Sequence, residues 1–161
     1  MALRNLVRRN FYVIAALTGT RRSNLTALEW RNVNLDRKTL TQPKTKNGTS
    51  PTLPLSDEAV RLLRELHELD RRWVFPAASA SGHIAEPQDA TVRGNIHQLR
   101  HAFTSAGASC GVPRHVLKKL RGDVTKEDAM DGYVHDIDSH AAINQIAIHL
   151  TKRWLGWQLD A

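Results

Sequence analysis

Asn32-Val33-Asn34-Leu35, Thr39-Leu40-Thr41 and Thr52-Leu53-Pro54-Leu55 are three short β-prone pieces, separated by Asp36-Arg37-Lys38 and by a stretch holding Lys46-Asn47-Gly48. Asn-Gly readily takes the backbone angles of a tight turn, so it is a strong hairpin signal. The spacing predicts a small three-stranded antiparallel sheet with Lys46 on or beside its second turn. Both flanks read as helix. Upstream, Leu6, Tyr12, Val13, Ala16 and Leu17 recur at helical spacing and stop at Thr18-Gly19, after which Leu25, Leu28 and Trp30 suggest a second short helix. Arg21 therefore falls at a helix start behind a glycine turn. Downstream, Ser56 caps a helix with Asp57 and Glu58 in its first turn and Val60, Leu62, Leu63, Leu66 and Leu69 as its apolar face. The expected fold is α+β, mainly α-helical, with the sheet near the N-terminal third.

Residues 75–87 are rich in Ala, Ser, Gly and Pro and read as a loop, a candidate mobile linker to a helical second half. Helices are predicted over residues 91–109, 113–120 and 139–157, and across a segment that holds Tyr133. The last carries Ile143, Ala147, Leu150, Trp154 and Trp157 at nearly heptad spacing. That seam must be buried, against its own domain or, as residues 139–161, against a neighbouring subunit. With 161 residues the chain fits one domain.

The formal charge is +7, and the excess is local. Residues 1–50 hold ten Lys/Arg against two Asp/Glu, whereas the remainder is nearly neutral. A concentrated basic field favours a polyanion, since each neutralised phosphate releases condensed counterions. Nucleic acid is the leading partner, and a solvated basic face is the plainer alternative. Cys110 is the single cysteine, so no disulfide within the chain and no cysteine-built zinc site is possible. Its apolar, small-residue neighbourhood predicts a buried, inert thiol. Residues 1–10 lack a signal-peptide core, and no run approaches a membrane span, which points to a soluble, cytoplasmic protein.

Breaking a phosphodiester with a side chain needs a nucleophile, cations to balance charge on the pentacoordinate phosphate, and an acid for the leaving oxygen. Tyr133 is a candidate nucleophile whose phenol, with a pKa near 10, needs cationic surroundings or a base. Arg21 and Arg100 are candidate clamps, because a planar guanidinium holds phosphate oxygens bidentately. His97 and Arg100 lie three apart and share a helix face. Lys46, at a hairpin turn, is a candidate general acid. Taken singly, each has an ordinary structural reading as a surface turn, a helix pair or a core-edge aromatic.

Their joint order resembles the catalytic domain of the tyrosine recombinases, the phage integrase family. Thr18-Gly19-Thr20-Arg21-Arg22-Ser23-Asn24-Leu25 is similar to that family's first arginine box, which implies that Arg21 binds phosphate and Arg22 is only a neighbour. Thr45-Lys46-Asn47-Gly48 resembles its β-hairpin, implying Lys46 as the catalytic lysine with Lys44 as fallback. His97-Gln98-Leu99-Arg100-His101-Ala102-Phe103 resembles its second box, which makes His97 base or phosphate ligand and Arg100 the second clamp. Gly132-Tyr133-Val134-His135 resembles the box of the nucleophile, so that Tyr133 would form a 3′-phosphotyrosyl bond and release a 5′ hydroxyl. The resemblance implies double-stranded DNA as partner, a tetramer during recombination with a monomer allowed in solution, and no cofactor or metal.

The chain departs from that pattern in three ways. Where the family carries a histidine or tryptophan about ten residues before the tyrosine, Asp123 lies nearest, with Gly122 and Val124 as alternative alignments. A carboxylate beside a scissile phosphate repels it. Loss of a proton-transfer partner costs roughly 10² to 10⁴ in rate without abolishing phosphate binding. Asn24 stands where an acidic residue often supports the first arginine, and its amide can accept from a guanidinium. The N-terminal core-binding domain is expected to be absent. A recombinase catalytic domain is the first reading, a DNA-binding remnant that no longer cuts the second, and a type IB topoisomerase fragment the third.

Overall fold

The computed structural model describes residues 6–43, 48, 50–85, 95–123 and 138–159. α1 (Leu6–Thr18) and the short α2 (Arg22–Thr26) lead through a 3-10 turn at Trp30–Asn32 into the sheet. β1 (Val33–Asn34), β2 (Thr39–Thr41) and β3 (Thr52–Pro54) pair antiparallel in that order, with Val33 opposite Leu40 and Leu40 opposite Leu53. α3 (Asp57–Leu66), α4 (Ile96–Ser109), α5 (Arg114–Leu120) and α6 (Ser139–Leu159) follow. This is the α+β, mainly helical architecture expected, with strand ends trimmed because Asn32 belongs to the 3-10 turn.

α1 runs through the core, against α3, α4 and α6. Phe11, Ile14 and Ala15 are buried beside Tyr12, Ala16 and Leu17, while Leu6 is at the surface. A central helix has partners on several sides, so its burial is broader than the single stripe that periodicity suggests. Phe11 meets Phe75 edge-on at 5.0 Å between ring centroids. Buried Asn10 ties α1 to α3, donating from Nδ2 to the Leu62 carbonyl and to Glu65 Oε2, each at 3.0 Å. That bond, with Arg9 and Arg61, holds the Glu65 carboxyl below its usual range.

The Ser56 cap is present, its Oγ accepting from the Ala59 amide at 3.2 Å. The helix stops at Leu66, however, and Leu69 beyond it is exposed rather than part of the apolar face. Residues 75–85 form a loop as expected, anchored in the core: Phe75 and Ile84 are buried, and the Ile84 amide donates to the Phe75 carbonyl at 3.0 Å, while residues 86–87 of the expected loop lie outside the described set. Its Ala, Ser and Gly residues form a turn closed on two apolar anchors. Cys110 is half-buried instead of sealed, its Sγ donating to the Gln145 carbonyl at 3.7 Å. In α6, Ile143, Ala147 and Leu150 are buried in the chain's own core, whereas the Trp154 and Trp157 side chains lie outside the described set. Among the described residues no helix is long and apolar enough to cross a membrane.

α4 begins at Ile96, and the first residues of its expected range, 91–94, lie outside the described set. Its start is fixed by a reciprocal cap: Asn95 Oδ1 accepts from the Gln98 amide and Gln98 Oε1 accepts from the Asn95 amide, both at 3.0 Å. Two otherwise orphaned donors are satisfied together. Asn95→Ala is expected to lower stability by about 1 kcal/mol, and Asn95→Asp to retain most of it. Urea unfolding followed by circular dichroism measures both.

Candidate active site

Two helix ends and one helix face converge on a single carboxylate. Gly19 closes α1 with φ of +59°, its amide donating to the Ala15 carbonyl at 3.0 Å. A Cβ there would stand 2.8 Å from Phe103 Cδ1 and 3.1 Å from Arg121 Cγ, so glycine is required by conformation and by space. Two residues on, Arg21 occupies the N-cap of α2 in extended conformation with no side-chain cap bond, leaving its guanidinium free to reach across the site. At the end of α5 the Gly122 amide donates to the Lys119 carbonyl at 3.0 Å and the Asp123 amide to the Lys118 carbonyl at 2.9 Å. With Gly122 at φ of +74°, this is a Schellman closure that reverses the chain and aims Asp123 back at α2 and α4.

Asp123 Oδ1 accepts from Arg21 at 2.7 Å, while Oδ2 accepts from Arg100 and pairs with Arg121 at 3.0 Å. The side chains of Arg100, Arg121 and Asp123 are 14 %, 18 % and 20 % exposed, against 55 % for Arg21. Arg100 also donates to the Gly19 carbonyl, which locks its guanidinium onto the turn that positions Arg21. Burial draws the Arg100 pKa below its ordinary value; Arg121 and Arg21 push the same way and Asp123 opposes them. A guanidinium stays protonated regardless, so the cluster carries three positive charges on one negative.

His97, Arg100 and Asn95 from α4 line an open cleft of about 610 Å³ together with Thr20 and Arg21. The His97 ring is exposed there and shares a 2.9 Å Nε2 to Nε2 hydrogen bond with His101, one turn further along. One imidazole must donate and the other accept. Of the residues singled out in the sequence, Arg21, Arg100 and Asp123 come into contact, and His97 lines one cleft with the two arginines. Lys46, its fallback Lys44 and Tyr133 lie outside the described residues. Asn24 turns its amide to the sheet side, its Nδ2 donating to Gln42 Oε1 at 3.2 Å.

Two contributors escaped the sequence reading. Arg121 joins the carboxylate and donates to Thr104 Oγ1 at 2.6 Å. Gln42, buried just past β2, accepts from Asn24 and donates to the Arg121 carbonyl at 3.4 Å, so the sheet braces both the α2 turn and the α5 closure. A Cβ on Gly122 would meet Gln42 Oε1 at 2.6 Å. The signal for Arg121 was its place beside a helix-closing glycine; nothing in sequence marks Gln42.

Comparison with known proteins bears on this arrangement. The family model described as "Phage integrase family" matches residues 4–140. The integrase of Salmonella phage P22 is 27 % identical over 131 residues, covering 67 % of this chain and 34 % of that protein. A prophage integrase of Escherichia coli K12 is 25 % identical over 135 residues, covering 75 % of this chain and 29 % of its own length. The chain thus spans about a third of the length of these relatives. Among solved structures, the integrase from mycobacterium phage Brujita shares the fold, with a TM-score of 0.71 at 23 % identity, covering 90 % of this chain and 53 % of that one.

Gly19→Ala tests how far the turn governs the cluster. The left-handed backbone and the contact with Phe103 are expected to cost about 2–3 kcal/mol together. Chemical denaturation reads that loss.

Proposed function

The chain belongs to the phage integrase family, and on that premise we propose that it is the catalytic domain of a site-specific DNA recombinase. In this reading Tyr133 attacks a phosphodiester in double-stranded DNA, forming a bond from its phenolic oxygen to phosphorus as the bond to the 5′ oxygen breaks. His97 takes the phenol proton and Lys46 protonates the departing oxygen. Arg21 and Arg100 hold the two non-bridging oxygens and neutralise the charge that builds on phosphorus. The bond energy is kept in the 3′-phosphotyrosyl link, so rejoining needs no nucleotide and no cofactor. Recombination would assemble four protomers on two duplexes in the cytoplasm.

The observation that carries this reading is the convergence of Arg21 and Arg100, from separate elements, on the two oxygens of one carboxylate, with His97 lining the same cleft as the two arginines. A phosphate presents a similar pair of oxygens. The same contact favours a second reading, an impaired DNA-binding domain, because Asp123 stands where the family usually carries a histidine or tryptophan and already fills the clamp.

Covalent trapping separates the two. The chain is mixed with nicked duplexes that lose a short 5′-hydroxyl fragment on cleavage, and run on a denaturing gel. The recombinase reading predicts a slower band that Tyr133→Phe abolishes and Arg100→Lys reduces by roughly 10² or more. DNA binding with no band on a cognate site, together with a Tyr133-dependent band in Asp123→His, identifies the impaired domain.

A further inference from the structure

Three guanidiniums share Asp123, yet the proposed chemistry uses two of them. We infer that Arg121 is a positioning residue for the clamp: it holds Asp123 back when Arg21 and Arg100 turn to a phosphate. The inference rests on the reading of those two arginines as phosphate ligands.

The geometry separates the three partners. Arg21 is the most exposed of them and is the sole described donor to Oδ1, so an entering anion can take it from solvent. Arg100 is anchored by the Gly19 carbonyl and presents its other end to Oδ2. Of the three, Arg121 alone is a neighbour of Asp123 in the chain, two residues before it across the Gly122 closure, and its other terminal nitrogen is pinned by Thr104. Its ion pair with Oδ2 is therefore a local one, kept when the other two are given up. Without Arg121, the carboxylate would have only the clamp arginines as cationic partners in this cluster and would compete with any phosphate for them.

The charge balance points the same way. Two arginines and a neutral residue at the Asp123 position would give the cluster a charge of +2. Here a carboxylate occupies that position, and Arg121 restores the same sum. Arg121 and Asp123 together replace one neutral side chain.

A double-mutant cycle in the intact chain tests this. Two readouts are taken: affinity for a fluorescent 20-base-pair duplex at fixed low salt, and the rise in Tm produced by inorganic phosphate. Asp123→Asn is expected to strengthen both, with duplex affinity rising about tenfold. Arg121→Gln should weaken duplex binding about tenfold, whereas Arg121→Lys, which keeps the charge, should stay within about threefold of the parent. The decisive term is the coupling: in the Asp123→Asn background, Arg121→Gln should cost less than about threefold, because no carboxylate remains to restrain. Equal losses in both backgrounds would make Arg121 a direct phosphate ligand or a merely basic residue, and would overturn the inference. Weaker binding by Asp123→Asn would overturn it too. If the phosphate response follows the cycle while no variant binds duplex, the inference stands and the DNA reading falls. If duplex is bound and the cycle shows no coupling, the inference alone falls.

Discussion

Guanidiniums from three helical elements do not gather around one point unless an anion sits among them. Two unit charges about 6 Å apart repel by roughly 3 kcal/mol at an effective dielectric near 20, and a cluster of three has three such repulsions. The Asp123 carboxylate offsets them by accepting from Arg21 and Arg100 and pairing with Arg121 at once. The turn after α1, the face of α4 and the end of α5 are held in one arrangement by this contact. It is partly shielded from solvent, so salt screens it less than it would an exposed pair.

The backbone makes the contact possible before any charge acts. Left-handed glycines end both α1 and α5, and each is crowded by a neighbour that a Cβ would strike. Phe103, buried on α4, lies under the first of these turns, while Gln42 from the sheet lies against the second. The sheet thus contributes to the site through the residue that follows β2. It supplies the buried amide that keeps the α2 and α5 ends in register.

Legibility in the sequence followed the range of the interactions. Elements set by local rules were readable: the Ser56 cap with its acidic first turn, the three strands between polar turns, and the α4 helix with His97 and Arg100 on it. Burial set by tertiary neighbours was not. Periodicity picked Leu6 and Val13 on α1 and passed over Phe11 and Ile14, because a helix enclosed on several sides loses its single stripe. The turn at residues 75–85 read as a linker because its small residues hide two buried anchors, Phe75 and Ile84. At the site, motif order singled out Arg21, Arg100 and the anomalous Asp123, three residues that the fold brings into contact. That Asp123 is gathered by three arginines was not legible, because the contact with Arg121 appears only when the α5 closure folds the carboxylate back.

If the pair of arginines that Asp123 bridges is an anion site, a DNA phosphate should take it over. A crystal structure of the chain bound to duplex DNA would test it most directly. One backbone phosphate is expected with its non-bridging oxygens about 3 Å from the Arg21 and Arg100 guanidiniums, and Asp123 withdrawn onto Arg121. A complex in which DNA lies elsewhere on the chain, with Asp123 still bridging Arg21 and Arg100, would contradict it.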